Sequence, residues 1–190
     1  MAGRLAGRTI AFLVANEGVE QVELTRPWQA VEAEGARPVL VAPEGGEVQA
    51  FHHLDKGNRF HVDETTERVD VTRFDALVLP GGVANPDRLR TDPKAVAFVK
   101  SMAASGRPIG VICHGPWTMV EADVVRGRRM TSWPSVQTDL RNAGANWVDE
   151  QVVVDEAGTS TIVSSRKPDD LDAFCRTIVD VFASTPAGAR

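Results

Sequence analysis

The chain has 190 residues, of which 43% are hydrophobic and 25% are charged, a composition typical of a globular domain with a sizeable core. Its net charge of −5 and pI of about 5.4 give no general attraction to nucleic acid or to an anionic membrane surface. No apolar run approaches the ~20 residues needed to span a bilayer, and two cysteines are too few for a disulfide scaffold. We therefore expect a cytoplasmic protein with mainly reduced thiols.

The first half of the chain alternates apolar runs with helical patterns. Residues 9–15 (TIAFLVA) and 38–42 (PVLVA) have the composition of buried strands. Between them, residues 20–34 have helical spacing, although Pro27 should kink this helix or mark an early turn. Residues 44–73 are polar and interrupted by glycines, which is typical of short β excursions or loops.

The second half continues this alternation. Residues 76–80 (ALVLP) indicate another buried strand, and residues 86–105 indicate a helix. Residues 108–113 (PIGVIC) indicate a strand that runs into a helix starting near His114. The remaining predicted elements are a short helix at 135–143, strands at 152–155 and 160–165, and a last helix that opens at 168–170 and packs Cys175 in the core.

Strands and helices alternate without a linker or a repeat. We therefore expect a single domain over residues 1–190, with its core at about 8–183 and a frayed tail at 184–190. The pattern predicts an α/β fold in which helices cover both faces of a mainly parallel sheet. Sites in such folds form beyond the carboxyl ends of the strands. Three predicted strand ends carry candidate site residues, at 16–23, 80–87 and 113–117.

The sharpest of these signals is Cys113, placed where a strand must turn into a helix. Such a turn gives its residue a strained backbone and an exposed side chain, and the small Gly115 permits a close turn. The following helix should favour the thiolate, because its N–H groups point toward the sulfur. The alternative is an inert, buried cysteine, although packing alone would not need Gly, His and Pro beside it.

Two carboxylates, Glu20 and Glu23, are three residues apart near a predicted helix start. In that position they either stabilise the helix and stay solvated, or lie over the sulfur if their strand is beside the cysteine strand. In the second case the like charge of a thiolate would make a carboxyl keep its proton, which it could then donate to sulfur in a hydrogen bond.

The positions of the histidines exclude one class of enzyme. No histidine follows His114, so the chain cannot form the downstream Cys–His pair of a class I glutamine amidotransferase or the triad of an α/β-hydrolase. Adjacent helical residues do not face each other, so His114 should be poorly aimed at Cys113 and act on substrate instead. Five other residues are of types that bind metals, but we expect them in surface loops: His52, His53, Asp55, His61 and Asp63. We therefore expect no metal and no cofactor.

Several motifs together make the chain resemble a known family. They are EQVELTRP (20–27), DALVLPGG (75–82), NPDRLR (85–90), ICHGPW (112–117), TSWPS (131–135) and SSRKPDDL (164–171). The sequence resembles the PfpI branch of the ThiJ/PfpI superfamily from Thr9 to Phe182. This resemblance implies a flavodoxin-like three-layer sandwich, like that of the class I glutamine amidotransferases, and a homodimer or larger homo-oligomer.

The resemblance also implies roles for individual residues. Cys113 matches the family's nucleophile, Glu23 the acid that hydrogen-bonds its sulfur, and Glu20 a second acid of the pocket. His114 and Asp87 match the histidine and acid of a proposed triad. That acid comes from a neighbouring subunit in some members and is a glutamate there. The backbone N–H groups of an oxyanion hole would come from Gly81, Gly82 and His114.

Three kinds of function agree with the resemblance. In the first, Cys113 attacks a reactive carbonyl or acyl carbon, as in a glyoxalase, deglycase or hydrolase of the stress response. In the second, Cys113 is a non-enzymatic peroxide sensor or scavenger that forms sulfenic or sulfinic acid. In the third, the protein is an intracellular cysteine peptidase, although no motif in the sequence indicates a peptide-binding groove. Trp117 and Trp133 are expected to pack rather than to line the pocket.

Overall fold

The computed structural model describes residues 3–186, and its centre is a sheet with one antiparallel edge strand. The order of the seven strands in this sheet is β11-β12-β8-β7-β1-β3-β6. Their bounds are β1 (Thr9–Leu13), β3 (Arg37–Ala42), β6 (Glu64–Thr65), β7 (Ala76–Leu79), β8 (Ile109–Ile112), β11 (Val152–Asp155) and β12 (Ile162–Ser165). The predicted α/β fold with a mainly parallel sheet is therefore confirmed.

Two smaller sheets flank the central one. The first pairs β2 (Glu17–Glu20) with β4 (Glu47–His52), which in turn pairs with β5 (Asp55–His61) in a hairpin. The second pairs β9 (Arg129–Met130) with β10 (Asn146–Trp147).

Helices cover both faces of the central sheet. Their bounds are α1 (Gln21–Ala33), α2 (Ala84–Leu89), α3 (Pro93–Ala104), α4 (Pro116–Glu121), α5 (Gln137–Asn142) and α6 (Leu171–Ser184), with short 3₁₀ turns at Val71–Arg73, Pro134–Val136 and Pro168–Asp170. Alternate residues of each strand enter different cores, as the period of two requires. Ile10 and Phe12 pack with α1 and α6, whereas Ala11 and Leu13 pack with the helices of the opposite face.

The structure differs from the sequence-based expectation in several elements. The helix expected over residues 86–105 is two helices, because Asp92 caps α3 by accepting N–H bonds from Lys94 and Ala95, and Pro93 supplies the first helical position. Helix α1 runs through Pro27 without ending there. Glu20 is the residue that precedes α1, at the end of β2, a strand that the sequence did not reveal.

The two ends of the chain and the histidine-rich segment also need correction. Leu5 is fully buried, so the core begins before residue 8. Ser184 is the last residue of α6, and the rest of the expected tail falls partly on residues 187–190, outside the described range. His52 and His61 lie on strands β4 and β5 rather than in loops. Across residues 3–186, no helix is both long and apolar enough to cross a membrane.

Candidate active site

Cys113 occupies the turn between β8 and α4 in a conformation that few side chains adopt. Its φ is +64°, in the left-handed region. The backbone is held from two directions, because the N–H of Cys113 donates to the carbonyl of Ser165 at 3.1 Å and its carbonyl accepts the N–H of Trp133 at 2.9 Å. Contacts from two other segments therefore maintain a strained turn, as is common at functional sites.

The close turn depends on Gly115. A Cβ added there would lie 2.7 Å from the carbonyl oxygen of Leu79 and 2.9 Å from that of Ile112. These distances leave no space for a side chain, so the chain can turn from Cys113 into α4 at Pro116 only because residue 115 is glycine.

His114 faces the sulfur directly. Its Nδ1 lies 3.1 Å from Sγ of Cys113. The expectation that these neighbours would be poorly aimed at each other is wrong, because Cys113 is in the left-handed region and α4 starts only at Pro116. Burial lowers the pKa of His114 to about 4, so the imidazole is neutral at neutral pH and has a nitrogen free to accept a proton.

Glu23 supplies a buried acid beside the thiol. Its side chain has no solvent exposure, and Oε2 accepts the N–H of Gly81 at 2.8 Å. Burial raises the pKa of Glu23 to about 8, and the charge of Glu20 adds to this increase. Oε1 is also buried and accepts no hydrogen bond from a nitrogen or oxygen donor of residues 3–186. Glu23 therefore carries a proton at neutral pH. Glu23 and Cys113 each shift the pKa of the other, which agrees with the expectation that Glu23 lies over the sulfur.

The thiol itself is less exposed than the sequence indicated. Cys113 is 5% exposed. Burial raises the pKa of the Cys113 thiol, and an ionised Glu23 raises it further, while the N–H groups of Gly82 and His114 oppose both effects. The cost of removing the sulfur from water therefore outweighs the stabilisation expected from the short α4. A base that takes the thiol proton is needed, and His114 is in place for it.

The backbone of Gly81 packs tightly against both Glu23 and Cys113. A Cβ at Gly81 would lie 2.4 Å from Oε2 of Glu23 and 2.6 Å from Cβ of Cys113. Gly82 has a φ of +83°. The N–H of Gly81 is occupied by Glu23, so the groups near the sulfur that could hold an oxyanion are the N–H groups of Gly82 and His114.

Glu20 holds the β4–β5 hairpin against the site. Its Oε2 accepts the N–H of His53 at 3.0 Å, at a hairpin turn where His53 has a φ of +59°. Only 8% of Glu20 is exposed. Because it precedes α1, Glu20 does not share a helix face with Glu23, yet both line the same cavity.

The cavity above the sulfur has a volume of about 690 Å³. Its walls are mostly apolar, with carboxylates at intervals. Besides the site residues already described, it is lined by Glu17, Phe51, Leu54, Val83, Ala84, Asp87, Arg88, Trp133 and Pro168. A space of this size accommodates a substituted side chain or a small organic molecule.

Trp133 differs from its expected placement, whereas the role of Asp87 as a triad acid from a neighbouring subunit stays an expectation. Asp87 is exposed at the cavity mouth and, within residues 3–186, has no hydrogen bond to His114. The Nε2 of His114 instead lies 3.4 Å from Oγ of Ser135. The indole of Trp133 stacks on His114 with centroids 5.6 Å apart and lines the cavity, so the expectation that it only packs is wrong.

The residues that the sequence missed come from short or irregular segments. Ser135 and Trp133 lie in the TSWPS motif, whose combination of Trp and Pro was the available signal. Leu54 and His53 form the hairpin turn and had no signal. Cys175 is buried on α6 as expected, and both cysteines are free. Within residues 3–186, no cluster of three or more His, Cys, Asp or Glu side chains is placed to hold a metal.

Fold and site together define a flavodoxin-like α/β protein with a cysteine at a strand-to-helix elbow, flanked by a buried acid and a histidine. A model of the DJ-1/PfpI family matches residues 8–181. The chain therefore belongs to the DJ-1/PfpI family, and the resemblance found in its motifs is confirmed.

Individual relatives agree with this assignment. The chain is 43% identical over 170 residues to deglycase PH1704 of Pyrococcus horikoshii, covering 90% of this chain and 96% of that protein. It is 38% identical over 169 residues to the putative cysteine protease YraA of Bacillus subtilis, covering 89% and 95%. The crystal structure of a ThiJ/PfpI domain protein from Brachyspira murdochii has a TM-score of 0.84 at 22% identity, covering 94% of this chain and 98% of that one.

Proposed function

We propose that the protein is a cysteine-dependent enzyme of the stress response that acts on reactive carbonyl compounds, as a glyoxalase or deglycase. The observation that carries this proposal is the 3.1 Å contact between Sγ of Cys113 and Nδ1 of a neutral His114, beside the buried Glu23. A neutral imidazole accepts the thiol proton, and a protonated carboxyl donates one. The relative from P. horikoshii, which is named a deglycase, supports the same class of reaction.

The first step joins the sulfur to the carbonyl carbon of a 2-oxoaldehyde. His114 takes the thiol proton, the sulfur attacks the aldehyde carbon, and the electron pair of the C=O bond moves to oxygen. The N–H groups of Gly82 and His114 are placed to hold that oxygen. His114 then returns the proton to the oxygen, giving a neutral hemithioacetal and a neutral imidazole.

The second step converts the hemithioacetal into an acid. His114 removes the proton on the carbon bonded to sulfur while Glu23 protonates the neighbouring carbonyl oxygen, which gives an enediol. His114 then delivers its proton to the neighbouring carbon, while the hydroxyl on the sulfur-bearing carbon gives its proton to Glu23, which leaves a 2-hydroxyacyl thioester. Water hydrolyses the thioester and restores the thiol, so the net reaction adds one water to the oxoaldehyde.

A second candidate is supported by the donors around the sulfur. The N–H groups of Gly82 and His114 and the proton of Glu23 would stabilise a sulfenate or sulfinate formed from Cys113 by peroxide. Cys175 is buried on α6, so oxidation would end at the oxidised sulfur rather than at an internal disulfide. This is the function of a sensor or scavenger.

One experiment compares these functions. Purified wild type, Cys113→Ala and the control Cys175→Ala are each given methylglyoxal, hydrogen peroxide or an unstructured peptide. The proposal expects methylglyoxal consumption that is lost in Cys113→Ala and kept in Cys175→Ala. Negligible turnover, with a peroxide mass gain confined to Cys113, would replace the enzyme with the sensor, and hydrolysis of the peptide would indicate a peptidase.

We further propose that the protein forms a homodimer or larger homo-oligomer through the cavity mouth. Leu54 is 93% exposed and Val83 59% exposed, and both line that mouth. A second copy covering these side chains would remove apolar surface from water. Asp87 lies on the same rim, so such a contact would bring it against the neighbouring subunit. Light scattering should give a multimer for the wild type and a smaller species for Leu54→Asp.

Two wider expectations remain proposals. We propose a cytoplasmic location, which the two free thiols support. We also propose that residues 1–190 act as one domain, which the shared cores on the two faces of the central sheet support.

A further inference from the structure

Asn85 is a buried polar side chain that the proposed chemistry does not use. It is the second residue of α2, and its side chain has no solvent exposure. Oδ1 accepts the N–H of Ala15 at 2.7 Å, and Nδ2 donates to the carbonyls of Pro80 and Gly81, each at 3.0 Å. Burying an amide is unfavourable unless it is bonded in this way, and here both of its donor hydrogens are used.

The two carbonyls that Asn85 binds belong to the peptide units that face the reactive pair. In a trans peptide the C=O and the following N–H point in opposite directions. Holding the carbonyl of Pro80 therefore fixes the N–H of Gly81, which donates to Glu23 at 2.8 Å. Holding the carbonyl of Gly81 likewise fixes the N–H of Gly82, which acts on the sulfur of Cys113 and lowers the pKa of that thiol.

This restraint matters because two consecutive glycines do not by themselves fix the orientation of the peptide between them. Gly81 and Gly82 have no Cβ, and the peptide between two glycines rotates at low cost. Rotation of that peptide would replace the N–H at the sulfur with a carbonyl oxygen, which would repel a thiolate. The carbonyl of Gly81 also accepts the N–H of Glu20, but at 3.3 Å this hydrogen bond is longer than the 3.0 Å bond from Asn85.

We infer that Asn85 is a positioning residue for the nucleophile: it fixes the Pro80–Gly81 and Gly81–Gly82 peptides so that their N–H groups point at Glu23 and at the sulfur of Cys113. This inference rests on the proposed role of Cys113 as nucleophile. Asn85 acts through the loop and does not touch the substrate or the sulfur.

The test is the rate at which iodoacetamide alkylates Cys113 between pH 6 and 9, in a Cys175→Ala background so that one thiol reacts. The rate follows the thiolate fraction, and a hydrogen bond to a charged group shifts that fraction by about one pKa unit. We expect Asn85→Ala to react about 10-fold more slowly at each pH below the thiol pKa. Methylglyoxal turnover should fall through kcat with KM little changed.

The matched control is Asn16→Ala. Asn16 also ties a loop, donating from Nδ2 to the carbonyl of Glu44 at 2.8 Å and accepting its N–H at 2.9 Å, and within residues 3–186 its side chain makes no hydrogen bond to residues 80–82. We expect it to change thermal stability without changing the alkylation rate. Equal alkylation rates in wild type and folded Asn85→Ala overturn the inference, whether or not the wild type consumes methylglyoxal.

A measurement on unsubstituted Asn85 covers the case in which Asn85→Ala does not fold. In ¹⁵N-labelled protein, alkylation of Cys113 should displace the N–H of Gly82 and with it the peptide whose carbonyl Asn85 holds. The side-chain amide signals of Asn85 should therefore shift together with the amide signal of Gly82. Asn85 signals that stay in place while Gly82 shifts overturn the inference.

Discussion

The two cysteines are almost equally buried, and burial raises the pKa of both thiols, yet their backbone conformations and their polar partners differ. Cys113 is 5% exposed and Cys175 is 8% exposed. Cys113 is in a left-handed turn, with His114 at 3.1 Å and backbone N–H groups around its sulfur. Cys175 lies in the middle of α6, where burial raises the pKa of its thiol to about 11. The comparison teaches that solvent exposure does not separate a reactive cysteine from an inert one here, whereas polar partners do.

The largest expected effect tests whether that contrast governs reactivity. At pH 8, iodoacetamide should alkylate Cys113 in Cys175→Ala about 10³-fold faster than it alkylates Cys175 in Cys113→Ala, because Cys113 has the imidazole of His114 at 3.1 Å from its sulfur and, within residues 3–186, no histidine hydrogen-bonds Cys175. Intact-mass kinetics on the two single-cysteine proteins measure the ratio. His114→Ala should remove most of the difference. Similar rates for both thiols would mean that burial alone controls them.

The second prediction concerns Glu23, the buried acid beside Cys113. The raised pKa of Glu23, about 8, means that its carboxyl is protonated below that pH and ionised above it. Methylglyoxal turnover by the wild type should therefore decline above about pH 8. Glu23→Gln should be about 100-fold slower and have no decline at that pH. A pH–rate profile of both proteins checks this, with Cys175→Ser as the control that keeps the wild-type profile.

A third effect appears in stability. Because the pKa of Glu23 is raised in the folded protein to about 8, its contribution is fully present below the pKa of the unfolded chain and is lost as pH rises to 8. The free energy of unfolding of the wild type should fall relative to Glu23→Gln by on the order of 3 kcal/mol between pH 5 and 8. Urea unfolding of both proteins at the two pH values measures this difference.

The wild type must be compared with Glu23→Gln because the lowered pKa of His114 also makes the free energy of unfolding depend on pH, in a range that overlaps pH 5 to 8. Burial lowers the pKa of His114 to about 4, so its contribution is lost as pH falls from about 6.5 toward 4. This effect is common to wild type and Glu23→Gln and cancels in the difference. A pH-independent difference would contradict the buried, protonated state of Glu23.

The smallest expected effect concerns the backbone conformation at the two cysteines. Cys113 has a φ of +64°, so Cys113→Gly should be more stable than Cys113→Ala by about 1 kcal/mol. Cys175 is in a helix interior, so Cys175→Gly should be less stable than Cys175→Ala by about 1 kcal/mol. Thermal unfolding of the four variants gives both signs. The same sign at both positions would show that the turn at Cys113 is unstrained.

Much of the fold was predictable because its strands are continuous apolar runs. Residues 9–15, 38–42 and 108–113 are mostly buried on both faces; β1 and β8 lie within these ranges, and β3 begins one residue earlier, at Arg37. Strand β2 was not predicted because EGVE is short and half charged, and its pairing with β4 comes from distant residues. Asp92-Pro93 is a helix-start pattern that could have predicted the break between α2 and α3. It was missed because apolar residues at helical spacing continue across residues 86–105.

The candidate site was predictable only in its residue types. The motif ICHGPW indicated Cys113, but its neighbour His114 was expected to point away, because the left-handed turn that aims it is maintained by Ser165 and Trp133, far along the chain. The burial of the thiol likewise depends on packing that no local pattern encodes. Asn85 carried no signal of its own, since its role comes from three backbone groups at 15, 80 and 81.

The order of the strands has a consequence for how the molecule fails on heating. Cys113 follows β8 and the Gly81–Gly82 segment follows β7, two adjacent strands in the interior of the sheet, whereas β11 and β6 form its edges. Sub-global opening begins in regions with few neighbours, so hydrogen–deuterium exchange should reach the edge strands long before the strands that carry the site. Inactivation on heating should then coincide with complete melting rather than precede it.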